Sequence, residues 1–265
     1  MESQQQGVPH TARVYDYYLG GKSYYEIDQQ AGDSVLQVWP GARKAAQTNR
    51  RFMHRAVRHL AQRGVRQFLD IGTGIPTEPN LHQVAQGVAP ESRVVYTDKD
   101  KLVLVYADAL MRSTPEGRTA YIQADVARDH ERILADAFEV LDRSRPVALS
   151  LVALLHFVPD EQGAREVVGA LVDALPSGSA LVLSHGTHDF DENVMRRVEA
   201  IYQQGGMAAQ SRSKDEILRF FEGLELVDPG IVPPHLWRPG DEEVPEEAEA
   251  LSREVSIWAA VGIKP

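Results

Sequence analysis

Apolar residues recur along this chain in two rhythms, and the change from one to the other marks its elements. In "ARKAAQTNRRFMHRAVRHLAQRG", Ala46, Asn49, Phe52, Met53, Ala56, Val57 and Leu60 fall at helical spacing on one face, and Gly64 supplies a stop. Ahead of it, "TARVYDYYLGGKSYYEID" reads as a short helix, a turn at Gly20-Gly21 and a second helix; residues 1 to about 10 read as a polar, mobile tail. From residue 66, strands and helices alternate. Strand "RQFLDI" ends in a glycine loop, after which Thr77 reads as an N-cap with Pro79 in the first turn of a helix running through "NLHQVAQ". Strand "RVVYTD" precedes helix "KLVLVYADALM", capped by Asp100. Strand "TAYIQAD" precedes helix "HERILADAFEVL", with a stripe of Ile133, Leu134, Ala137, Phe138 and Leu141. Strand "PVALSLVAL" is nearly all apolar, as a parallel strand covered on both faces should be. Helix "EQGAREVVGALVDAL" and strand "SALVLSHG" close the series.

This repeated β-α-β order predicts an α/β fold with a doubly wound, Rossmann-like parallel sheet and right-handed crossovers. After residue 186 two helices come in succession, "DENVMRRVEAIYQQ" and "KDEILRFFEG", the second with a Ser213-to-Glu216 capping box and a stop at Gly223. Two late strands, "LELVDPGIV" and "SIWAAVGIKP", predict a hairpin-like pair at the sheet end. The acidic, proline-rich connection between them, "PPHLWRPGDEEVPEEAEALSRE", reads as a solvated loop. Residues 1–65 are expected to form a tail and helical cap, and residues 66–265 the sheet domain, together one compact unit.

Composition narrows the partners. The 265 residues contain no cysteine, which excludes disulfides, thiolate zinc sites and a cysteine nucleophile and fits a reducing cytoplasm. A net charge of -10 repels polyphosphate backbones, so nucleic acid is a disfavoured partner. Arg50, Arg51, Arg55, Arg58, Arg63 and Arg66, with His54 and His59, are concentrated in one helix. An RNA methyltransferase would set such a face on phosphate, but the spacing suits a solvated face opposite the apolar stripe. No signal peptide is visible, and the longest apolar run, "PVALSLVALLHFV", is interrupted by Ser150 and His156, so no membrane span is expected. No His/Asp cluster has metal-ligand spacing.

The chemistry gathers at "FLDIGTGIPTEPN", Phe68 to Asn80. In α/β sheets ligands bind at the carboxyl ends of the strands near the switch point. Gly72 and Gly74 let the backbone turn tightly and approach a ligand, and a helix start beyond would offer free N–H groups. The dinucleotide fingerprint G-x-G-x-x-G lacks its third glycine, which falls at Thr77. The carboxylate of Asp70 would repel a pyrophosphate and attract the ammonium group of S-adenosylmethionine. Asp98 ends the second strand, where an acid can accept from ribose hydroxyls in either cofactor class. Asp125 ends the third, where it can accept from an adenine amino group. The bland readings are helix caps and turns, for which Asp100 and Asp129 are better placed.

Asp70-x-Gly72-x-Gly74, Asp98 and Asp125, each after a successive strand, resemble class I S-adenosylmethionine-dependent methyltransferases. More narrowly, "PHTARVYDYYLGGK", "NRRFMHRAVRHL", "QFLDIGTGIPT", "VVYTDKD", "AYIQAD", "RPVALSLVALLHFVPD" and "LPSGSALVLSH" resemble the bacterial S-adenosyl methyltransferase family first catalogued as a domain of unknown function. The resemblance implies a seven-stranded sheet with an antiparallel last strand and S-adenosylmethionine as cofactor. It implies Asp70, Gly72, Thr73 and Gly74 at the methionine end, Asp98 at the ribose, and Asp125 with Val126 near adenine. Pro76 stands where the superfamily often has a third glycine, and it has no N–H to donate.

Methyl transfer from a sulfonium needs mainly proximity and alignment, with a base where the acceptor must lose a proton. His156 follows the fourth strand, where the methyl group would sit; His185 and His188 follow the fifth and are expected at the rim of the same cleft. Tyr15, Tyr18 and Lys22 would reach the cleft if the N-terminal segment folds over it, the rings toward the sulfonium and Lys22 toward the cofactor carboxylate. The alternative is simple helix packing. The expected activity is methyl transfer to a small-molecule acceptor. The rivals are an NAD(P)-dependent oxidoreductase, a nucleic-acid methyltransferase and a non-catalytic S-adenosylmethionine-binding protein.

Overall fold

Three helices precede the sheet: α1 (Thr11–Leu19), α2 (Glu26–Val38) and α3 (Ala42–Gln62). The computed structural model describes residues 7–240 and 247–265. The strands are β1 (Gln67–Ile71), β2 (Arg93–Asp98), β3 (Arg118–Gln123), β4 (Ala148–Val152) and β5 (Ala180–Gly186). Between them run α4 (Leu81–Val88), α5 (Lys101–Leu110), α6 (Val126–Ala137) and α7 (Ala164–Asp173). The chain closes with α8 (Glu192–Gln204), α9 (Lys214–Leu218), β6 (Glu225–Leu226), α10 (Ala248–Val255) and β7 (Ile257–Ile263).

The seven strands form one sheet in the order β3-β2-β1-β4-β5-β7-β6. All pairs from β3 to β5 are parallel, and β7 runs antiparallel to both β5 and β6. The order reverses between β1 and β4, so the loops after these strands diverge and leave a crevice. Strand alternation sends Leu69, Val95, Leu149 and Leu183 to one core layer with Ile133 and Leu171. It sends Phe68, Val94, Ala148 and Val182 to the other, where the α3 stripe of Phe52, Met53, Ala56, Val57 and Leu60 covers them. Among the described residues, no helix is long and apolar enough to cross a membrane.

The N-terminal segment docks in two ways. Val14, Tyr17 and Tyr18 of α1 join Val35, Ala46, Met195, Val198 and Tyr202 in an apolar cluster of their own. Beside it lies a buried ion group. Arg13 Nε donates to Asp28 Oδ2 (2.8 Å) and Nη1 to Asp100 Oδ2 (3.0 Å). Asp28 also accepts the His10 and Tyr25 N–H groups, both at 2.8 Å. Gly20 closes α1 in the left-handed region (φ 81°), so the Gly20-Gly21 break is a turn here. Of the polar tail expected over residues 1 to about 10, residues 1–6 lie outside the described residues.

Four local expectations need correction. The cap of α4 is Asn80, not Thr77: Asn80 and Gln83 form a capping box, and the Thr77 N–H donates to Asn80 Oδ1 (3.0 Å). Pro79 therefore sits in the loop rather than the first turn. The cap of α6 is Asp125, which accepts from Ala127 N–H (3.1 Å), while Asp129 accepts from Asp125 N–H (3.0 Å). Strand "LELVDPGIV" shrinks to Glu225–Leu226 and a bridge between Val232 and Ala259, because a turn closed by Gly230 N–H interrupts it. The acidic connection is not simply solvated. Trp237 is fully buried against Phe52 and His59 (ring centroids 5.4 and 5.9 Å), and α10 follows; residues 241–246 lie outside the described residues.

Candidate functional site

Two glycines make the turn after β1 possible. Gly72 (φ 75°) and Gly74 (φ 69°) are both left-handed, a conformation that disfavours side chains. The turn is stitched to the end of β2. Gly72 N–H donates to Thr97 O (2.8 Å) and Gly74 N–H to Asp98 Oδ2 (3.0 Å). Asp98 Oδ1 accepts the Asp100 N–H (2.9 Å). Each carboxylate oxygen thus holds one backbone N–H and keeps lone-pair capacity for a ligand. A Cβ at Gly72 would lie 2.6 Å from Leu154 Cδ1, whereas one at Gly74 would meet nothing within 4 Å. Gly72→Ala is therefore expected to destabilise the fold by roughly 1–3 kcal/mol, through φ strain and displacement of Leu154. Thermal unfolding beside a Leu154→Ala/Gly72→Ala double variant checks this, since the double variant should recover only the steric part.

A cavity of about 520 Å³ opens on this turn. Asp70, Gly72, Thr73, Gly74, Asp98, Asp125 and Val126 all line it, so the acidic ends of β1, β2 and β3 converge. Thr73 Oγ1 donates to Asp70 O (3.2 Å). Burial pushes the Asp70 carboxyl up to about 6, against the pull of the neighbouring Arg50 guanidinium. Burial also raises Asp98, opposed by the N–H groups of Asp100 and Gly74.

Arg50 is the feature that sequence reasoning missed. It lines the cavity from α3, its Nη2 donates to the Thr77 and Pro79 carbonyls, and its Nε is buried without a partner. His54, one turn on, also bonds Pro79 O (2.9 Å), so α3 holds the loop of residues 75–79 from below. The strand period carries a signal for this: Asp70 shares the face of Phe68, the face that α3 covers. The basic residues of α3 consequently divide. Arg55 is buried, donating to Trp237 O (3.0 Å) and Pro234 O (2.6 Å), and Arg66 pairs with Glu91, while Arg51, Arg58 and Arg63 are exposed. A continuous basic face does not form. In the first turn of α4 the His82 N–H is already committed, donating to Tyr96 Oη (2.8 Å).

A second, smaller chamber of about 100 Å³ lies under α1, α3 and α8. Tyr15 lines both spaces; Tyr18 and His156 line only the smaller. Tyr18 Oη sits 3.3 Å from Tyr202 Oη, and burial pushes Tyr202 up to about 12 and Tyr18 further. His156, in a short 3-10 turn (Leu155–Phe157), stacks on Phe157 (4.3 Å), and its Nδ1 is buried without a partner. Burial, then the positive Arg212, lowers its pKa to about 3.

Three predicted positions lie elsewhere. His185 is fully buried and lines neither space, so it is not at the rim of the cleft. Arg212 Nη1 donates to its Nε2 (2.7 Å), which leaves Nδ1 to donate to Gly186 O (2.7 Å); both nitrogens are engaged and the ring is neutral. Alternation along β5 sets His185 with Leu181 and Leu183 rather than toward the cleft. His188 bonds Ser211 Oγ (3.1 Å). Lys22 is exposed beyond the Gly20-Gly21 turn and lines neither space.

A family profile described as S-adenosyl methyltransferase matches residues 2–265. The chain is similar to the crystal structure of a DUF574 family protein from Streptomyces avermitilis MA-4680, with 47% identity over 98% of this chain and 99% of that one and a TM-score of 0.93. It is also similar to a candidate methyltransferase from Thermobifida fusca YX, at 39% identity over 97% and 96% of the two chains and a TM-score of 0.89. The plantazolicin methyltransferase BpumL, solved with S-adenosylhomocysteine, shares the fold at 12% identity over 96% and 95% of the chains, TM-score 0.52. No curated protein matches.

Proposed function

We propose, for a chain that belongs to the S-adenosyl methyltransferase family, that the larger cavity binds S-adenosylmethionine and that the methyl group passes to a small-molecule acceptor. The observation that carries this reading is the convergence of Asp70, Asp98 and Asp125 on one cavity beside the Gly72–Gly74 turn. The residues fit the group. The volume is within the range of about 300–1,000 Å³ usual for small-molecule sites, and the open space at Gly74 leaves room for close backbone approach.

Asp70 faces the ammonium group and Arg50, in place of Lys22, the carboxylate, a charge-assisted pair at each end of the amino-acid moiety. Thr73, Gly72 and Gly74 shape the turn around it. Asp98 accepts from the ribose hydroxyls, and Asp125 with Val126 borders adenine. Bound S-adenosylmethionine supplies a methyl carbon already activated by the positive sulfur, so the protein's task is alignment and exclusion of water. With a pKa of about 3, His156 is neutral at working pH and a poor proton acceptor. We assign it to orienting the acceptor by a hydrogen bond. Tyr18 shapes the acceptor side through Tyr202, and His185 positions Arg212, whose Nη1 holds Leu155 O (2.9 Å). Residues 1–65 cap the cleft and contribute Arg50 to the cofactor, whose other contacts come from residues 66–265. The absence of cysteine supports a cytoplasmic setting.

Calorimetric titration with S-adenosylmethionine, S-adenosylhomocysteine and NADPH tests the reading: the first two should bind and NADPH should not, and the reverse would overturn it. The pH dependence is specific. An ammonium ligand needs Asp70 ionised, so affinity for S-adenosylhomocysteine should fall as pH drops below about 6, approaching tenfold per unit. Asp70→Asn should weaken binding at pH 7 and flatten that slope.

A further inference from the structure

Resting on that assignment of the larger cavity, we infer that the smaller chamber receives the methyl acceptor, and that it takes a compact uncharged molecule: an apolar body of about one ring bearing one hydroxyl or amino group.

Position comes first. The two spaces share Thr11, Tyr15, Ala153 and Phe157, so they meet along one wall at the end of β4. A molecule seated in the chamber would present its outer end to the larger cavity, where a methyl donor would lie.

The walls set the chemistry. Ala42, Ala46, Met195, Val198 and Ile257 make the chamber apolar, so a charged body would lose its hydration without repayment in contacts. Glu199 is the charged side chain in the lining, and it already accepts the Ser211 N–H; its sign disfavours anions further. The volume of about 100 Å³ is below the roughly 150 Å³ of a dry cavity that holds benzene, so a single ring fills it with its polar edge left in the junction.

The recognition element is Asn49. It is fully buried in the middle of α3. Tyr15 Oη donates to Ala46 O (3.1 Å), so its lone pairs receive Asn49 Nδ2 (3.1 Å). This fixes the amide orientation and leaves Oδ1 as the acceptor. Oδ1 is buried with no donor, and His156 Nδ1, in the same lining, is also without a partner. Buried polar atoms are almost always satisfied, so two orphans in one small chamber mark the place of a ligand's O–H or N–H.

Ligand-observed NMR titrations with phenol, toluene, benzoate and benzylamine test this, with and without saturating S-adenosylhomocysteine. Phenol should bind the wild type about fivefold or more tightly than toluene, because only phenol donates to Asn49 Oδ1, and benzoate and benzylamine should bind more weakly still. Asn49→Leu should remove the phenol preference. Ala46→Leu and Met195→Trp, filling the chamber from opposite walls, should each weaken phenol by about tenfold or more while S-adenosylhomocysteine affinity stays within about twofold. That retained affinity also reports an intact fold. No phenol binding, phenol binding unmoved by both filling variants, or preference for a charged probe overturns the inference. Failure of the wild type to bind S-adenosylhomocysteine overturns the cofactor assignment instead, and the titrations without it still decide what the chamber takes.

Discussion

Arg13→Met is expected to lower unfolding free energy by about 3–5 kcal/mol and to loosen α1 from the mouth of the cleft. Arg13 is 3% exposed, and its partners Asp28 and Asp100 are 0% and 6% exposed. Methionine keeps most of the length and apolar stem but leaves two buried carboxylates without their cation. Asp28 belongs to α2 and Asp100 caps α5 immediately after β2, so the same guanidinium ties the N-terminal segment to the strand that carries Asp98. Urea unfolding at pH 7 measures the loss. Asp28→Asn in the Arg13→Met background should restore part of it, because the amide removes one unpaired buried charge. A change below about 1 kcal/mol would mean that the apolar cluster around Tyr17 and Tyr18 holds the cap alone. Hydrogen exchange in α1 supplies an independent readout.

Asp98→Ala is expected to weaken S-adenosylhomocysteine binding by about a hundredfold or more, since two hydrogen bonds to an ionised group are worth roughly 1.5–3 kcal/mol each. The substitution also removes the acceptor for Gly74 and Asp100 N–H groups, so the turn loses its stitching to β2. Asp98→Asn keeps one acceptor oxygen and should lose less. Asp125→Ala should lose about tenfold, because its Oδ1 is engaged as the α6 cap and a single outward hydrogen bond is at stake. Calorimetry on the three variants orders them; a loss of less than tenfold for Asp98→Ala would place the ribose elsewhere.

In stability, low pH also probes the histidines. His156 in the native state has a pKa of about 3 against 6.5 unfolded, so the unfolded chain binds the extra proton and stability falls as pH drops from about 6.5 toward 3. The neutral, fully engaged His185 acts in the same direction. By the same values, turnover should show no histidine limb between pH 5 and 8 from His156, and His156→Gln should preserve orientation better than His156→Ala.

Much of the frame was legible because it depends on neighbours in sequence. Period-2 and period-3.6 patterns laid out β1 to β5 and α3, and the Gly72–Gly74 turn needs only local backbone freedom. Acids at the ends of three successive strands share a cleft in any doubly wound sheet, which is why Asp70, Asp98 and Asp125 could be placed together without coordinates. Caps were less secure, because several side chains compete for one N–H. Asn80 displaced Thr77 and Asp125 displaced Asp129 through reciprocal bonds that spacing alone does not rank.

What the sequence determined by itself, then, is the order of elements, the phosphate-free acidic turn and the line of carboxylates, all set by short-range chemistry. Tertiary structure alone decided which cation lines the larger cavity and which predicted histidine lines a cavity at all. Arg50 rather than Lys22 lines the larger cavity because α3 lies across the face of β1 that carries Asp70, while Lys22 is exposed beyond the turn at Gly20. His185 was withdrawn into the core by Arg212, twenty-seven residues away in sequence. The chamber beneath Tyr15 exists only where α1, α3 and α8 meet. Such outcomes depend on docking between elements distant along the chain, and no local pattern encodes a docking angle.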